Sequence, residues 1–148
     1  MLLVKHILQE KGHNVWSIPH LMSVEDALKL MAEKNVGAVL VVEGENVVGI
    51  FSERDLARKL SYSDICSLEV NVSEFMTSPV SVIQPDFSLS DCMNLMTNEH
   101  IRHLPVMEGD RLVGLVSIGD IVKGLIIEYE ENIHNLEEYI CTSPVLER

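Results

Sequence analysis

The sequence predicts a mixed α/β (α+β) fold in which two β-α-β-β-α repeats pack with pseudo-twofold symmetry and a long C-terminal helix follows. Three observations predict it: the chain resembles itself when it is slid along its own length, short β-branched runs flank Gly-containing turns, and an apolar stripe at helical spacing continues past the second repeat. With 148 residues, of which 47% are hydrophobic, the chain can form one domain or two very small ones.

The duplication is the strongest of these observations. Val15–Leu60 aligns with Val80–Leu125 without a gap. About fourteen of roughly forty-six aligned pairs are identical, where chance would give about three. The two halves are therefore expected to share one fold, and because each is too small to bury a large core alone, to pack together.

Each copy predicts the same elements in the same order. An extended stretch comes first and ends at a Pro-containing turn, and a serine with Asp three residues later then begins a helix. A hairpin around a Gly-containing turn leads into S-x-x-D and a second helix. The predicted segments are Val15–Ile18, a helix from Ser23, Val36–Val42 and Val47–Phe51 in the first copy, and Val80–Ile83, a helix from Ser88, Ile101–Met107 and Leu112–Val116 in the second.

Segments outside the repeats complete the organisation. Val72–Met76 resembles Val4–Leu8, which predicts a short lead-in helix before each copy. The expected boundaries are residues 4–60 for the first repeat, 61–70 for the linker, 71–127 for the second repeat and 128–148 for a helical extension and tail.

The last helix is predicted to continue to about Tyr139, because apolar residues recur at helical spacing among glutamates. Its surplus stripe needs a covering surface. Either a second copy of the chain covers it, giving a homodimer, or it folds back on its own domain.

Charge and cysteine content exclude several classes of function. The formal net charge of −12 opposes binding to nucleic acid or to anionic membranes, although a small phosphorylated ligand is compatible with local basic groups. No apolar run approaches a membrane span or a signal peptide, and three widely spaced cysteines imply no disulfide framework, so a cytoplasmic location is expected. The histidines lack metal-ligand spacing, and no metal site is expected.

The pattern G-h-h-S-x-x-D, where h is apolar, occurs where the second hairpin strand of each copy meets its helix, at Gly49–Asp55 and at Gly114–Asp120. The start of a helix suits an anion, a hydroxyl can donate to phosphate, and a carboxylate can accept from ribose hydroxyls. The same spacing also caps helices, as Ser23 with Asp26 and Ser88 with Asp91 are expected to do.

With these motifs, the strings SVEDALKLM, GIFSERD, FMTSPV, IRHLPV and GLVSIGDIVKGLI resemble tandem cystathionine β-synthase (CBS) domains of the stand-alone pair type, over most of the chain from about Val4 to about Leu125. The resemblance implies two clefts that bind an adenosine compound, such as AMP, ADP, ATP, NAD or S-adenosylmethionine. Carried over residue by residue, it implies nucleotide-binding roles for Ser17, Ile18, Gly37, Ala38, Ser52 and Asp55 in the first cleft and for Val82, Arg102, His103, Ser117 and Asp120 in the second.

Basic side chains near the motifs are candidates for phosphate binding. Arg54 and Arg58 accompany the first motif, and Lys123 follows the second. Because Arg102-His103 stands where the first copy has Gly37-Ala38, the second cleft is expected to be more cationic and the first roomier. Trp16 is expected to fill the core, with the border of an adenine as the alternative.

The expected function is a non-enzymatic adenine-nucleotide sensor that dimerises and regulates an unidentified protein, with AMP, ATP or NAD bound and no catalytic cofactor. One alternative is a constitutive dimer or scaffold that does not respond to ligand. Another is a small nucleotide-acting enzyme, although no nucleophile-elbow, Ser-His-Asp or CxxC arrangement is present in the sequence.

Overall fold

The structure, a computed structural model, describes residues 1–62 and 67–142 and divides into two compact units. The first unit is Asn14–Val82. The second unit combines Met1–His13 with the chain from Ile83 onward. Each unit contains one copy of the G-h-h-S-x-x-D motif. Helices α1–α5 are Val4–Lys11, Val24–Lys34, Glu53–Tyr62, Leu89–Glu99 and Ile118–Thr142; strands β1–β5 are Ser17–Pro19, Ala38–Glu43, Asn46–Ser52, His103–Glu108 and Arg111–Ser117.

The first unit contains a three-stranded sheet in the order β1-β2-β3. β1 is parallel to β2, which is antiparallel to β3. Helix α2 begins at the predicted cap, where the Ser23 hydroxyl accepts a hydrogen bond from the backbone N–H of Asp26 at 3.1 Å. On its apolar face Val24, Ala27 and Met31 are buried and Leu28 is partly buried, as the helical spacing predicts.

The second unit repeats this plan with one strand fewer. Strands β4 and β5 pair antiparallel, but the predicted strand at Val80–Ile83 is absent, and only Ile83 bridges to Val106. In the first unit, the backbone N–H of Leu40 in β2 bonds the carbonyl of Trp16 at 3.0 Å. The aligned residue in β4 is Pro105, which has no N–H to donate, so the parallel ladder cannot extend in the same way.

Each unit has its own apolar core. The core of the first unit consists of Ile18, Val24, Ala27, Met31, Val39, Val41, Phe51, Val72 and Phe75. The core of the second unit consists of Val4, Leu8, Ile83, Leu89, Cys92, Met96, Leu104, Val106, Val116 and Ile121.

Each lead-in segment joins the core of the repeat that it does not directly precede. Helix α1 lies in the second unit, where the backbone N–H of Val4 donates to the carbonyl of Phe87 at 2.9 Å. The second lead-in forms a short helix, as expected, in the 3-10 conformation over Val72–Glu74. It lies in the first unit, where the N–H of Val72 donates to the carbonyl of Met22 at 2.7 Å. The predicted repeat boundaries describe the duplication of the sequence and stay a prediction.

Helix α5 has 25 residues and ends at Thr142, slightly beyond the predicted end near Tyr139. Within the described ranges, 1–62 and 67–142, no helix combines the length and apolar character needed to cross a membrane.

Candidate functional site

The first motif is organised around the carboxylate of Asp55. Ser52 ends β3 and Asp55 lies in the first turn of α3. The Ser52 hydroxyl accepts from the N–H of Asp55 at 3.1 Å, while the backbone N–H and the hydroxyl of Ser52 donate to Asp55 Oδ2 at 3.1 and 3.0 Å. Serine and aspartate therefore cap the helix reciprocally, and the carboxylate is held in one orientation.

A third residue binds the other oxygen of this carboxylate. The hydroxyl of Thr77, which follows the 3-10 helix, donates to Asp55 Oδ1 at 2.9 Å. Lys59 in α3 donates to the backbone carbonyl of Met76 at 2.9 Å. These two hydrogen bonds connect the end of the second lead-in segment to helix α3, beside the first motif.

The other residues expected at this site are placed unequally. Ala38 pairs with Ser52 across β2 and β3, and the carbonyl of Gly37 accepts from the N–H of Glu53 at 3.2 Å, so both lie beside the motif. Ser17 is exposed and pairs with Leu40 on the opposite edge of β2. Ile18 is 1% exposed in the core, and a ligand could reach only its backbone.

The second motif repeats the cap around Asp120. The N–H of Ser117 donates to Asp120 Oδ2 at 2.9 Å, and the Ser117 hydroxyl accepts from the N–H of Asp120 at 3.2 Å. Here the third partner is a cation: the Lys11 ammonium in α1 lies 2.5 Å from Asp120 Oδ2 and also donates to the carbonyl of Leu115 at 2.9 Å.

These contacts decide the ionisation of Asp120. Partial burial by itself raises the pKa of this carboxyl, but the hydrogen bond and charge of Lys11, with the hydrogen bonds from Ser117, outweigh burial and leave the pKa below its ordinary value. Asp120 is therefore a carboxylate, and an acceptor, at neutral pH.

Two depressions in the second unit lie beside this motif. One has a volume of about 320 Å³ and is lined by two basic residues, Lys11 and Lys123, two acidic residues, Glu10 and Asp120, and by Ile7, Gly124 and Ile127. The other, of about 610 Å³, is lined by Arg102, Gly119, Lys123 and the apolar residues Ile118, Val122, Ile126 and Ile127. Lys123 borders both, whereas Asp120 and Arg102 line different depressions. Each volume is in or near the range of small-molecule sites, about 300–1,000 Å³.

The remaining expected residues are less closely grouped. His103 pairs with Ser117 across β4 and β5, and the carbonyl of Arg102 accepts from the N–H of Ile118 at 2.8 Å. Val82 is 48% exposed and belongs to the first unit, not to the unit that holds Asp120. Arg54 and Arg58 are exposed on α3.

Over the described stretches of the chain, the other two S-x-x-D sequences show a helix cap in which the aspartate does not bond back to its serine. Ser88 caps α4 through the N–H of Asp91 at 3.1 Å, as Ser23 caps α2. In the part of the chain that the structure describes, the carboxylates of Asp26 and Asp91 are exposed and are not drawn back to their serines as those of Asp55 and Asp120 are.

The glycine at the head of each motif has a packing role. A Cβ on Gly49 would overlap Met76 Sδ, and one on Gly114 would lie 2.5 Å from Leu8 Cδ2. Met76 and Leu8 occupy corresponding positions in the two lead-in segments. Because each glycine lacks a Cβ, the lead-in residue can pack directly against the strand beside its motif.

Sequence reasoning missed Thr77 and Lys11, the residues that bind the two carboxylates from distant segments. The available signal was the resemblance between the lead-in segments, but it did not indicate which motif each segment joins. Trp16 does not fill the core: it is 42% exposed, and Lys34 Nζ lies 4.6 Å from its ring centroid.

The described cysteines differ in accessibility: Cys92 is buried and Cys141 is exposed. Burial, and secondarily the charge of Asp91, raises the pKa of the Cys92 thiol to about 11, which leaves it protonated and unreactive. Cys66 lies outside the described residues. Residues 1–62 and 67–142 contain no cluster of three His, Cys, Asp or Glu side chains that could hold a metal ion.

Comparison with known proteins decides the family. The CBS domain model matches the chain twice, over residues 4–62 and 72–127. The chain belongs to the CBS domain family. This confirms the resemblance stated from the motifs, and the mixed α+β fold of two CBS repeats followed by a long helix is confirmed with it.

Similar CBS proteins are known from bacteria and plants. A putative signal-transduction protein with CBS domains from Burkholderia ambifaria MC40-6 is 43% identical, covers 85% of this chain and 95% of its own, and superposes with a TM-score of 0.80. CBSX2, solved in complex with AMP, is 26% identical with a TM-score of 0.67, and the match covers 87% of this chain and 99% of CBSX2.

The mitochondrial CBS domain-containing protein CBSX3 of Arabidopsis thaliana is 37% identical over 123 residues, which are 80% of this chain. The chain spans 60% of the length of that curated relative.

Proposed function

We propose that the chain is a regulatory module that binds an adenine nucleotide, AMP, ATP or NAD, and acts as a homodimer on another protein. The carboxylates of Asp55 and Asp120 accept the ribose hydroxyls, and Ser52 and Ser117 lie nearest the phosphate. The observation that carries this proposal is the orientation of both carboxylates by reciprocal caps, which Asp26 and Asp91 lack among the described residues.

The two sites differ in how a ribose would be accepted. At the first site, a ribose hydroxyl replaces the Thr77 hydroxyl at Asp55 Oδ1, so one neutral donor is exchanged for another at little cost. At the second site, the bonds described for Asp120 converge on Oδ2, and the ribose is accepted at Oδ1.

Charge favours a phosphorylated ligand in the larger depression of the second unit. Its charged lining residues are Arg102 and Lys123, whereas the smaller depression combines Lys11 and Lys123 with the carboxylates of Glu10 and Asp120. These cations are local exceptions in a chain with a net charge of −12. A mononucleotide with a compact phosphate fits this arrangement, and the complex of CBSX2 with AMP supports the same ligand class.

The test compares two double variants of the same chemistry. Asp55→Asn with Asp120→Asn alters both motif carboxylates, whereas Asp26→Asn with Asp91→Asn alters carboxylates at the same spacing on two capped helices. AMP, ATP and NAD are each titrated by calorimetry, and the free energy of unfolding is measured with and without nucleotide.

At 100 times its dissociation constant, a nucleotide is expected to add about 2.7 kcal/mol to the stability of the unaltered chain and of the Asp26/Asp91 variant. The Asp55/Asp120 variant should remain folded and lose this gain. Equal nucleotide binding by both variants would overturn the roles of the motif carboxylates. Absence of any effect of all three nucleotides on the unaltered chain would leave a constitutive scaffold as the function, and turnover of the nucleotide would indicate an enzyme.

A further inference from the structure

Helix α5 extends an apolar stripe beyond the core of its own unit. Its buried residues are Ile121 and Gly124, near its start. Further along, large apolar side chains remain exposed, from 52% for Ile126 to 72% for Ile140. At 3.6 residues per turn, this stripe lies about a third of a turn away from the buried face, so the unit does not cover it.

The spacing of the stripe is that of a coiled coil. Its residues are separated alternately by four and three positions, which gives nearly three heptads with an apolar residue at every a and d position. The a positions are Ile126, Ile133 and Ile140, and the d positions are Val122, Tyr129 and Leu136.

We infer that this stripe pairs with the same helix of a second copy of the chain, in a parallel two-stranded coiled coil. The inference deepens the proposed function, because it specifies the homodimer. The residue types select the number of strands: β-branched residues at the a positions with Leu at a d position favour two parallel strands.

Charge is compatible with the parallel orientation. The e positions are Lys123, Glu130 and Glu137. In a parallel pair each of them faces the g residue five positions earlier in the partner, Ile118, Leu125 or Asn132, so no like charges meet. In an antiparallel pair e faces e, so Glu130 would meet Glu130 while Lys123 would meet Glu137. The parallel orientation is the one without a like-charge contact, and the second test below decides between the two.

We call the contact line formed by the a and d residues of the stripe the seam. The face of the helix opposite the seam is polar. His134 Nε2 and Glu138 Oε1 lie 3.2 Å apart at b and f positions, one helical turn from each other and away from the seam. Glu131 also occupies an f position. An acidic outer face opposes lateral association of more helices and limits the assembly to two copies.

The first test uses two neighbouring exposed residues and the same replacement. Ile133→Lys places an ammonium at the centre of the seam, whereas His134→Lys places it on the outer face. Sedimentation equilibrium of the full chain should show at least a ten-fold rise in the dimer dissociation constant for Ile133→Lys and no comparable change for His134→Lys. Equal dimerisation by both variants would overturn the inference.

The second test fixes the orientation by disulfide trapping in a Cys66→Ser, Cys141→Ser background, where Cys92 is buried. In a parallel pair Ile126→Cys should crosslink to itself upon oxidation, because equivalent a positions come within disulfide range. In an antiparallel pair Ile126→Cys would crosslink to Ile140→Cys in a mixture and not to itself, and this result would contradict the inference.

Nucleotide binding separates this inference from the proposed function. Ile133→Lys should bind AMP as the unaltered chain does, because Ile133 lies about two helical turns beyond Ile126, the last stripe residue that lines the larger depression beside the second motif. A dimer that survives Ile133→Lys would refute the coiled coil but leave the homodimer standing. An unaltered chain that is monomeric would refute the coiled coil and the homodimer together, while the calorimetric test of the motif carboxylates still stands alone.

Discussion

At the scale of single residues, the two motifs share a cap and differ in the group that completes it. Asp55 receives a neutral hydroxyl from Thr77, and Asp120 receives the ammonium of Lys11. The cap could be predicted from the sequence because serine and aspartate are three residues apart. The third partners are 22 and 109 positions away and could not, because only tertiary packing brings them to the carboxylates.

Replacing Lys11 by Met should raise the pKa of Asp120, because burial then acts on the carboxyl without the compensating cation. The pKa of Asp120 in the folded unaltered chain is lowered, so its stabilising contribution is complete above the ordinary value near 3.8 and is lost as pH falls through the folded value. Since Lys11 is 39% exposed, we expect a loss of at most about 1 kcal/mol at pH 7.

Urea unfolding of both proteins at pH 7 and near pH 3 checks this prediction: the difference in their free energies of unfolding should shrink on the acid side. Lys29→Met is the control, because Lys29 forms an exposed ion pair with Glu25 at 3.3 Å on α2. It should cost less, about 0.3–0.5 kcal/mol. A difference between Lys11→Met and the unaltered chain that is independent of pH would contradict the account.

At the scale of elements, the glycine at the head of each motif sets how closely a lead-in segment can approach a strand. Gly114→Ala would bring a Cβ to 2.5 Å from the buried side chain of Leu8, so either β5 or α1 must shift. We expect a loss of about 1–3 kcal/mol in the free energy of unfolding.

A double-mutant cycle measures whether the contact with Leu8 causes the loss of stability in Gly114→Ala. Gly114→Ala combined with Leu8→Ala should cost less than the sum of the two single changes, because the second change vacates the space that the new methyl needs. Gly119→Ala, in the same motif, is the control: its Cβ would meet only Ser117 Oγ at 3.6 Å, and alanine in a helix gains up to about 1 kcal/mol. Additive costs in the cycle would show that the strain lies elsewhere.

At the scale of the whole molecule, each unit is completed by a segment that lies next to the other repeat in sequence. Leu8 of α1 belongs to the core of the second unit, and Phe75, which follows the 3-10 helix, belongs to the core of the first. The neighbours of each lead-in segment along the chain are therefore not the elements that it packs against.

Hydrogen exchange at individual backbone amides can show which unit each lead-in segment stabilises. Leu8→Ala should weaken amide protection in α4, β4 and β5 more than in α2 and β2, and Phe75→Ala should do the reverse, because a cavity first destabilises the core that contains it. Each variant is the control for the other. If Leu8→Ala mainly deprotected the first unit, the assignment of α1 to the second unit would be wrong.

The sequence by itself determined the duplication, the hairpins, the capped helices and the Ser-Asp pair at each motif, since all of these depend on residues close together in the chain. It also predicted a third strand in the second repeat, which the missing N–H of Pro105 prevents from forming as in the first. Only the tertiary structure decided that α1 brings Lys11 to Asp120 and that Thr77 reaches Asp55. The two lead-in segments have similar sequences, so the sequence does not indicate which core each completes. That choice depends on side-chain fit, such as Leu8 against Gly114, which is a property of packed surfaces and not of spacing along the chain.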